Sequence, residues 1–496
     1  MARRILLVDI DGLRPDVLKQ ELSQGHLPHI ANLLGGEGLS RGLLTPVLAP
    51  APSITFTSQA CLFTGAHPAK HGIPGNQFFD RFGKHSRGKP RHYAFDVGDT
   101  LAADDAVRVF IDGLAEKCLL VPTMYAALAE QHFRSVVVAN MYAAGASVWL
   151  KPSLVNLARF TKGGNVFGLS AEDYDLYNLN QALDEISRNG LPEILTMYFM
   201  GLDHESHLHG PQVQAGYLQA VLDPMIGELW ERIVKASGAA PANLPFCVIF
   251  SDHGQIGVPA DDQHSLRLGF PFERELGHLF DALGLDVHDY PGEDPACDAV
   301  LACNGGLAHL YLQNRRGRWA QTPVFERDVL PVAQAFWEAH ISGRYAQELH
   351  GALAGILVRN VEQDSWDAPY LALTPDRQLL SLAEWFDAQP GELYADPVHR
   401  LRNLAGPMVG DVLLISNYSD GYYFASPLAG VHGGLHPQDS WSTLAFGWPA
   451  ASEDEWERLQ QAISGRIRQR CQTEDDRSPS TADLRLVVEE ALAMHS

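Results

Sequence analysis

A mostly parallel α/β sheet with helices on both faces, carrying a smaller inserted α+β cap, is the architecture this chain predicts. Three observations predict it. Short apolar runs alternate with helical patterns along the first half of the chain. Several of those runs end in an acid or imidazole beside a glycine: LLVDIDG, YFMGLDHESH and VIFSDHG. A long excursion with strand-like runs of its own then separates SDHG from a late GVHGG.

RILLVDI reads as a buried parallel strand, and LPHIANLLGGEG as part of the helix after it, closed by glycine. SVVVAN, ILTMYFM and FCVIFS are further strands, separated by helical segments such as YLQAVLDPMIGELWERIVKA. The segment from about Asp80 to Leu119 is polar and reads as inserted. From about Leu266 to Leu404, HLYLQN, GILVRN and PYLALTP read as strands of a smaller sheet, mixed with helices such as ERDVLPVAQAFWEAHI. The tail reads as two helices, EDEWERLQQAISGRIRQR and STADLRLVVEEALAMH, joined by a charged link. The expected organisation is a core over 1–265, a cap over 266–404, and a return to the core with C-terminal helices over 405–496.

The 496 residues are 46% hydrophobic, enough for a large core. A formal net charge of -23 argues against polymeric nucleic acid or an acidic membrane as partner, because phosphate backbones call for clustered Lys and Arg. A small anion would have to be attracted locally, by bound cations. Six cysteines in a chain this long are no disulfide framework and read as mostly buried thiols; Cys297 and Cys303 are weak candidates for a bridge or a metal pair. MARRILLVDIDG enters its strand at once and no later run is long enough to span a membrane, so a cytoplasmic protein is expected.

In an open α/β sheet the functional crevice lies beyond the carboxyl ends of the strands. Asp11, Asp203, His207, Asp252 and His253 should gather there, with His432 brought in by the later loop. Three carboxylates and three imidazoles are the donor set of a metal centre and would suffice for two ions. Asp9 shares a strand face with Asp11 but lacks the turn that follows it, and reads as supporting the site rather than ligating. His204, His209 and His436 read as neighbours of the site.

Between these motifs lies PAPSITFTSQACLFTGAHPAKHGIPGN, residues 49 to 76, which places Thr55 near a helix N-terminus, where free N–H groups favour an anion. Thr55 is either a helix cap or a nucleophile whose hydroxyl is activated by metal.

The order of Asp11, Thr55-Phe56, Thr64-Gly65, HGI at 71–73, Asn76, DHESH, SDHG and HGG resembles the nucleotide pyrophosphatase/phosphodiesterase branch of the alkaline phosphatase superfamily. The resemblance covers Ile5 to Gly254 and the region of His432. It implies an alkaline phosphatase-like core and two divalent metal ions, zinc in this family. One would be held by Asp203, His207 and His432, the other by Asp11, Thr55, Asp252 and His253. It implies that Thr55 is the nucleophile, forming a phosphothreonine intermediate, and that Asn76 donates to a phosphoryl oxygen. Ser53 and Thr57 lack Thr55's offset to the later motifs.

The chain departs from the family after Thr55-Phe56, where Thr57, Ser58 and Gln59 replace the usual Pro-Asn-His, and it lacks the C-x-P-x-R element of formylglycine sulfatases. A threonine with an asparagine and no evident arginine clamp suits a phosphodiester or pyrophosphate rather than a monoester. The expected substrate is thus a small phosphorylated molecule, with a nucleotide among the candidates. Phe78 and Phe79, just after Asn76, are candidates for stacking against its leaving group, or for core. Two alternatives stand beside this reading: a phosphonoacetate or phosphonate ester hydrolase or phosphomutase-like enzyme on the same metal core, and a non-catalytic metal-binding interaction protein.

Overall fold

The structure, a computed structural model, describes residues 4–36, 39, 41–96, 104–162, 168–238, 244–268, 276–288, 291–293 and 295–493. Its larger core is built on a seven-stranded sheet. Five strands run parallel, in the order Val148–Leu150, Ser135–Val138, Ile194–Phe199, Ile5–Ile10, Phe246–Phe250. Leu444–Gly447 adds antiparallel to the last of these and Gly42–Leu44 antiparallel beyond it. Every residue of Ile5–Ile10, Ile194–Phe199 and Phe246–Phe250 is buried, as expected of parallel strands covered on both faces, and this is why their sequences are continuous apolar runs.

The strands end in register, which gathers the site. Ile10 pairs with Phe199, and Asp9 with Phe250, so Asp11, Asp203 and Asp252 all leave the sheet at one edge. The turn after Asp11 depends on Gly12, whose φ of +68° suits glycine and where a Cβ would lie 3.0 Å from Asp203 Oδ1.

A second seven-stranded sheet, mainly antiparallel, runs in the order Val287–His288, Ala299–Asn304, Leu307–Leu312, Val412–Ser416, Leu353–Val358, Leu371–Leu373, Leu379–Ser381. Its middle strand, Val412–Ser416, lies beyond residue 404, so the chain regains the first sheet only at Leu444–Gly447. The polar segment after Asp80 supplies Arg91–Ala94, which pairs with Gln77–Asp80 and Gly292–Glu293. The tail forms helices Glu453–Glu474 and Asp483–Ala493. No helix among the described residues is long and apolar enough to cross a membrane. All six cysteines are outside disulfides, Cys297 and Cys303 included.

Polar groups pin the second sheet to the strand that follows Asn76. Asn304, on the hairpin turn of the second sheet, accepts from Gln77 N at 3.0 Å and donates to Gln77 O at 3.0 Å. Arg81 and Asp411, both fully buried, pair at 2.9 Å, and the same Asp411 oxygen accepts from Leu312 N at 2.8 Å. The Arg81 guanidinium lies over Trp366 at 4.6 Å, which offsets part of its desolvation. Removing one member of such a pair strands a buried charge. Asp411→Ala is expected to lower unfolding free energy by about 3–5 kcal/mol, measured by urea denaturation, whereas an unchanged midpoint would show the pair contributes nothing.

Candidate metal centre

Helix Thr55–Thr64 begins at Thr55 itself, with Ile54 in the capping position and no side-chain cap bond. The capping role is therefore excluded, and the hydroxyl is left facing the site: Thr55 Oγ1 lies 3.1 Å from His253 Nε2. Helix Gly201–His209 carries Asp203 and His207 one turn apart on one face, which brings Asp203 Oδ2 within 3.1 Å of His207 Nε2. Its N-terminus is anchored by buried Asp175, which accepts from Met200 N at 3.1 Å and Gly201 N at 3.2 Å. The loop of His432 pairs back on the strand after Gly254, with Ile256 opposite Val431.

The three imidazoles share one arrangement. His207 Nδ1 lies 2.7 Å from Gly430 O, His253 Nδ1 2.9 Å from Gly254 O, and His432 Nδ1 3.2 Å from Ser53 O. A carbonyl only accepts, so each Nδ1 carries a proton, and in the neutral ring each Nε2 presents a lone pair. Those Nε2 atoms converge on carboxylates and on one another. His432 Nε2 is 3.1 Å from His207 Nε2 and 3.7 Å from Asp203 Oδ1, while His253 Nε2 is 3.4 Å from Asp11 Oδ1 and 3.3 Å from Asp252 Oδ2. The rings of His253 and His432 stack at 3.7 Å.

Lone pairs aimed at carboxylates repel unless a cation lies among them. Asp11 Oδ1, Asp203 Oδ1 and Asp252 Oδ2 are buried and have no hydrogen-bond partner. Ligand atoms of Asp203, His207 and His432 lie within 4.8 Å of one another, as do those of Asp11, Asp203 and His253. The residues present therefore fit a metal: imidazoles locked by carbonyls on their far nitrogen, with bare carboxylate oxygens opposite. Burial, then the charges of Asp252 and Asp203, pushes Asp11 well above the usual carboxylate range, against the bond it accepts from Tyr198 OH. Burial likewise raises Asp252, though His253 and Gly12 N oppose it. For Asp203 burial also acts upward, but positive charge on His207, and then on His432, outweighs it and holds the group low when those rings are protonated, an effect a cation in the same place would also have. Burial and the neighbouring His253 press His432 toward its neutral form.

The other expected residues divide. Asn76 Oδ1 accepts from Phe56 N at 2.9 Å, which assigns the amide oxygen and leaves its NH2 to donate, and Asn76 lines the same cavity as Thr55. Phe78 and Phe79 do not reach the cavity. Both are fully buried, Phe78 stacked on Tyr93 and Phe79 packed on Tyr311 and Trp319, because strand Gln77–Asp80 is covered on both faces. The apolar wall comes instead from Phe95, Phe110, Leu157, Phe160 and Leu208, around a cavity of about 390 Å³. Asp9 is buried and accepts from Asn140 Nδ2 at 3.0 Å and Gln59 Nε2 at 3.3 Å. His204 packs on Phe160 at 4.2 Å, His209 lies 3.7 Å from Glu205, and His436 caps the helix Pro437–Ser440.

Sequence reasoning missed Tyr198, Asn304 and Asp175. Tyr198 had a signal, since it lies one residue from the end of its strand, opposite Asp9 in register. The other two bond to backbone groups distant in sequence and leave no local pattern.

Residues 5–354 match the family model for type I phosphodiesterase / nucleotide pyrophosphatase. A 77-residue stretch is 35% identical to an uncharacterized pyrophosphatase/phosphodiesterase of Schizosaccharomyces pombe, covering 15% of this chain and 14% of that protein's length. Murine ectonucleotide pyrophosphatase/phosphodiesterase 5 superposes with a TM-score of 0.52 at 13% identity, over 90% of this chain and 88% of its own. An inactive threonine-to-alanine variant of that murine protein, in complex with AMP, gives 0.53 over the same shares. At this identity the likeness is one of fold.

A buried aspartate with a raised pKa favours the fold only while protonated, so its contribution is complete below the unfolded value of about 3.9 and is lost as pH rises through the raised folded value. Asp252→Asn keeps an oxygen for Gly12 N and removes the charge. In chelator-treated protein the variant is expected to be more stable than the native chain, by an amount negligible near pH 4 that widens steadily toward pH 8, while retaining less metal after dialysis. A difference that is flat with pH would show that Asp252 is not repelled in the metal-free site.

Proposed function

Because the chain belongs to the type I phosphodiesterase / nucleotide pyrophosphatase family and is a hydrolase, we propose that it cleaves phosphodiester or pyrophosphate bonds of a small substrate through a covalent phosphothreonine at Thr55. The observation that carries this reading is the placement of the Thr55 hydroxyl, 3.1 Å from His253 Nε2, at the edge of the imidazole–carboxylate cluster.

Asp203, His207 and His432 would hold one cation and Asp11, Asp252 and His253 the other, with Thr55 beside the second; zinc is the proposed metal. Bound there, two divalent ions would lower the pKa of the hydroxyl and neutralise charge on the phosphoryl oxygens. Thr55 gives up its proton to solvent before attack. Its Oγ1 then forms a bond to phosphorus as the bond to the leaving oxygen breaks. In the second half-reaction water adds to phosphorus, the bond to Thr55 Oγ1 breaks, and the hydroxyl is restored. Asn76 donates its NH2 to a phosphoryl oxygen, a direction supported by the engagement of its own oxygen with Phe56 N.

The apolar side of the cavity, with Phe95, Phe110 and Phe160, supports a flat or apolar group on the substrate. A nucleoside fits this description, and the structural neighbour in complex with AMP supports a small nucleotide. No Lys or Arg lines the cavity among the described residues, which favours an ester phosphorus bearing one negative charge.

With bis-p-nitrophenyl phosphate as substrate, Thr55→Ala is expected to lower kcat at least about 10³-fold while retaining metal, and acid-quenched native protein to carry phosphate on Thr55. Turnover that survives in the variant would remove Thr55 as nucleophile.

A further inference from the structure

The loop leading to Thr55 and the loop carrying His432 meet on one buried guanidinium. Arg400 lies on helix Pro397–Leu404, within the long excursion between the two sheets, and is 5% exposed. All five of its N–H donors are engaged. Nε donates to Ala49 O at 2.9 Å and Nη2 to Pro50 O at 2.8 Å, both on the stretch just before the nucleophile. Nη2 also donates to Gly434 O at 3.1 Å, two residues past His432. Nη1 donates to Ser440 Oγ at 2.7 Å and Ala395 O at 3.2 Å.

Around it the two loops bond to each other. Ser53 Oγ donates to the same Gly434 O at 3.1 Å, and Ser53 O receives the Nδ1 proton of His432. Ser440 Oγ passes the link on to Asp439 at 2.9 Å, whose carboxylate accepts from Gly434 N at 2.6 Å. Asp439 O in turn accepts from Gly254 N at 3.0 Å, next to His253. One hub thus touches the loops bearing Thr55, His253 and His432.

We propose that Arg400 is a positioning residue for the hydrolytic reaction, holding Thr55 in register with the imidazoles of His253 and His432 through Ala49, Pro50, Gly434 and Ser440. It acts through backbone carbonyls and does not touch the substrate. A loop position displaced by about 1 Å is enough to cost on the order of 10²-fold in rate. The kinetic part of the proposal rests on the phosphodiesterase reading, but the clamp does not.

Arg359 provides the comparison. It is equally buried and donates to Gly410 O at 3.1 Å, Gly406 O at 2.9 Å, Trp366 O at 3.0 Å and Val409 O at 3.3 Å, none of them on a ligand-bearing loop. Arg400→Met, Arg400→Lys, Ser440→Ala and Arg359→Met, in the full metal-loaded chain, are to be assayed with bis-p-nitrophenyl phosphate, with metal content and amide hydrogen exchange measured alongside. Arg400→Met is expected to lower kcat about 10²-fold with KM changed less than about threefold and metal retained, and to speed exchange in residues 49–56 and 430–436. Arg400→Lys, which keeps three donors, should recover part of the rate, and Ser440→Ala should lose several-fold. Arg359→Met should melt earlier with kcat within about twofold of native below its transition. Should Arg400→Met fail to fold, Arg400→Lys and Ser440→Ala decide the matter. Native kcat in the folded variants, or an equal loss in Arg359→Met, would overturn the proposal. A native chain inactive on the diester whose two loops still exchange faster without Arg400 would sustain the clamp and sink the substrate reading instead.

Discussion

The charge gathered at the carboxyl edge of the first sheet is what the rest of the structure accommodates. Asp11, Asp203 and Asp252 bring three acidic groups together, Asp11 and Asp252 buried and Asp203 half-buried, beside three imidazoles whose Nδ1 atoms are held by carbonyls. Neighbouring carboxylates cannot all ionise in such surroundings without compensation, which is why burial and mutual repulsion push Asp11 and Asp252 upward. A cation bound there would reverse that sign, because the donor atoms are already gathered. The cost of assembling the donors is carried by the fold: parallel strands in register, an anchored helix start at Asp175, and carbonyls that fix each ring.

The second sheet contributes more to this than a covering. Its hairpin turn pairs Asn304 with the backbone of Gln77, directly after Asn76, and its Gly305 sits where a Cβ would lie 1.7 Å from His432 O. Helix Pro397–Leu404 adds Arg400, which donates to Gly434 O of the same loop. The late histidine is therefore held between two parts of the excursion. That accounts for how a ligand some 180 residues downstream of His253 can be placed to within hydrogen-bond tolerance of Ser53.

Much of this was legible in the chain because parallel strands read as unbroken apolar runs and the site residues follow them immediately. Asp11, Asp203, His207, Asp252, His253 and His432 were placed in one cluster on that basis, and Thr55 at a helix start, and the structure brings all of them together. Phe78 and Phe79 show where local reading stops. Adjacent residues on a strand face opposite sides, so both could not have lined one cavity, and here each side meets a different aromatic cluster. The true wall draws on Phe95 from the end of a partner strand and on Phe110 and Phe160 from separate helices, a convergence that only tertiary packing produces. Arg400 was invisible for a related reason: its partners are mostly backbone carbonyls, which every residue has.

The bulk charge of -23 and a phosphate ester as substrate are at first sight opposed. The field of the whole surface repels an anion, and among the described residues no lysine or arginine lines the cavity to offset it. Attraction must then be short-ranged and must come from the cluster itself, where cations held by its donors would offset the three carboxylates locally. With cations held there, substrate and metal binding would be linked, each favouring the other, because the cations would supply positive charge to a cavity that no lysine or arginine lines among the described residues. Acidity elsewhere on the surface then has a selective consequence. A polyanion would meet repulsion along its whole length, whereas a compact ester with one charge would meet it only until it reached the cluster.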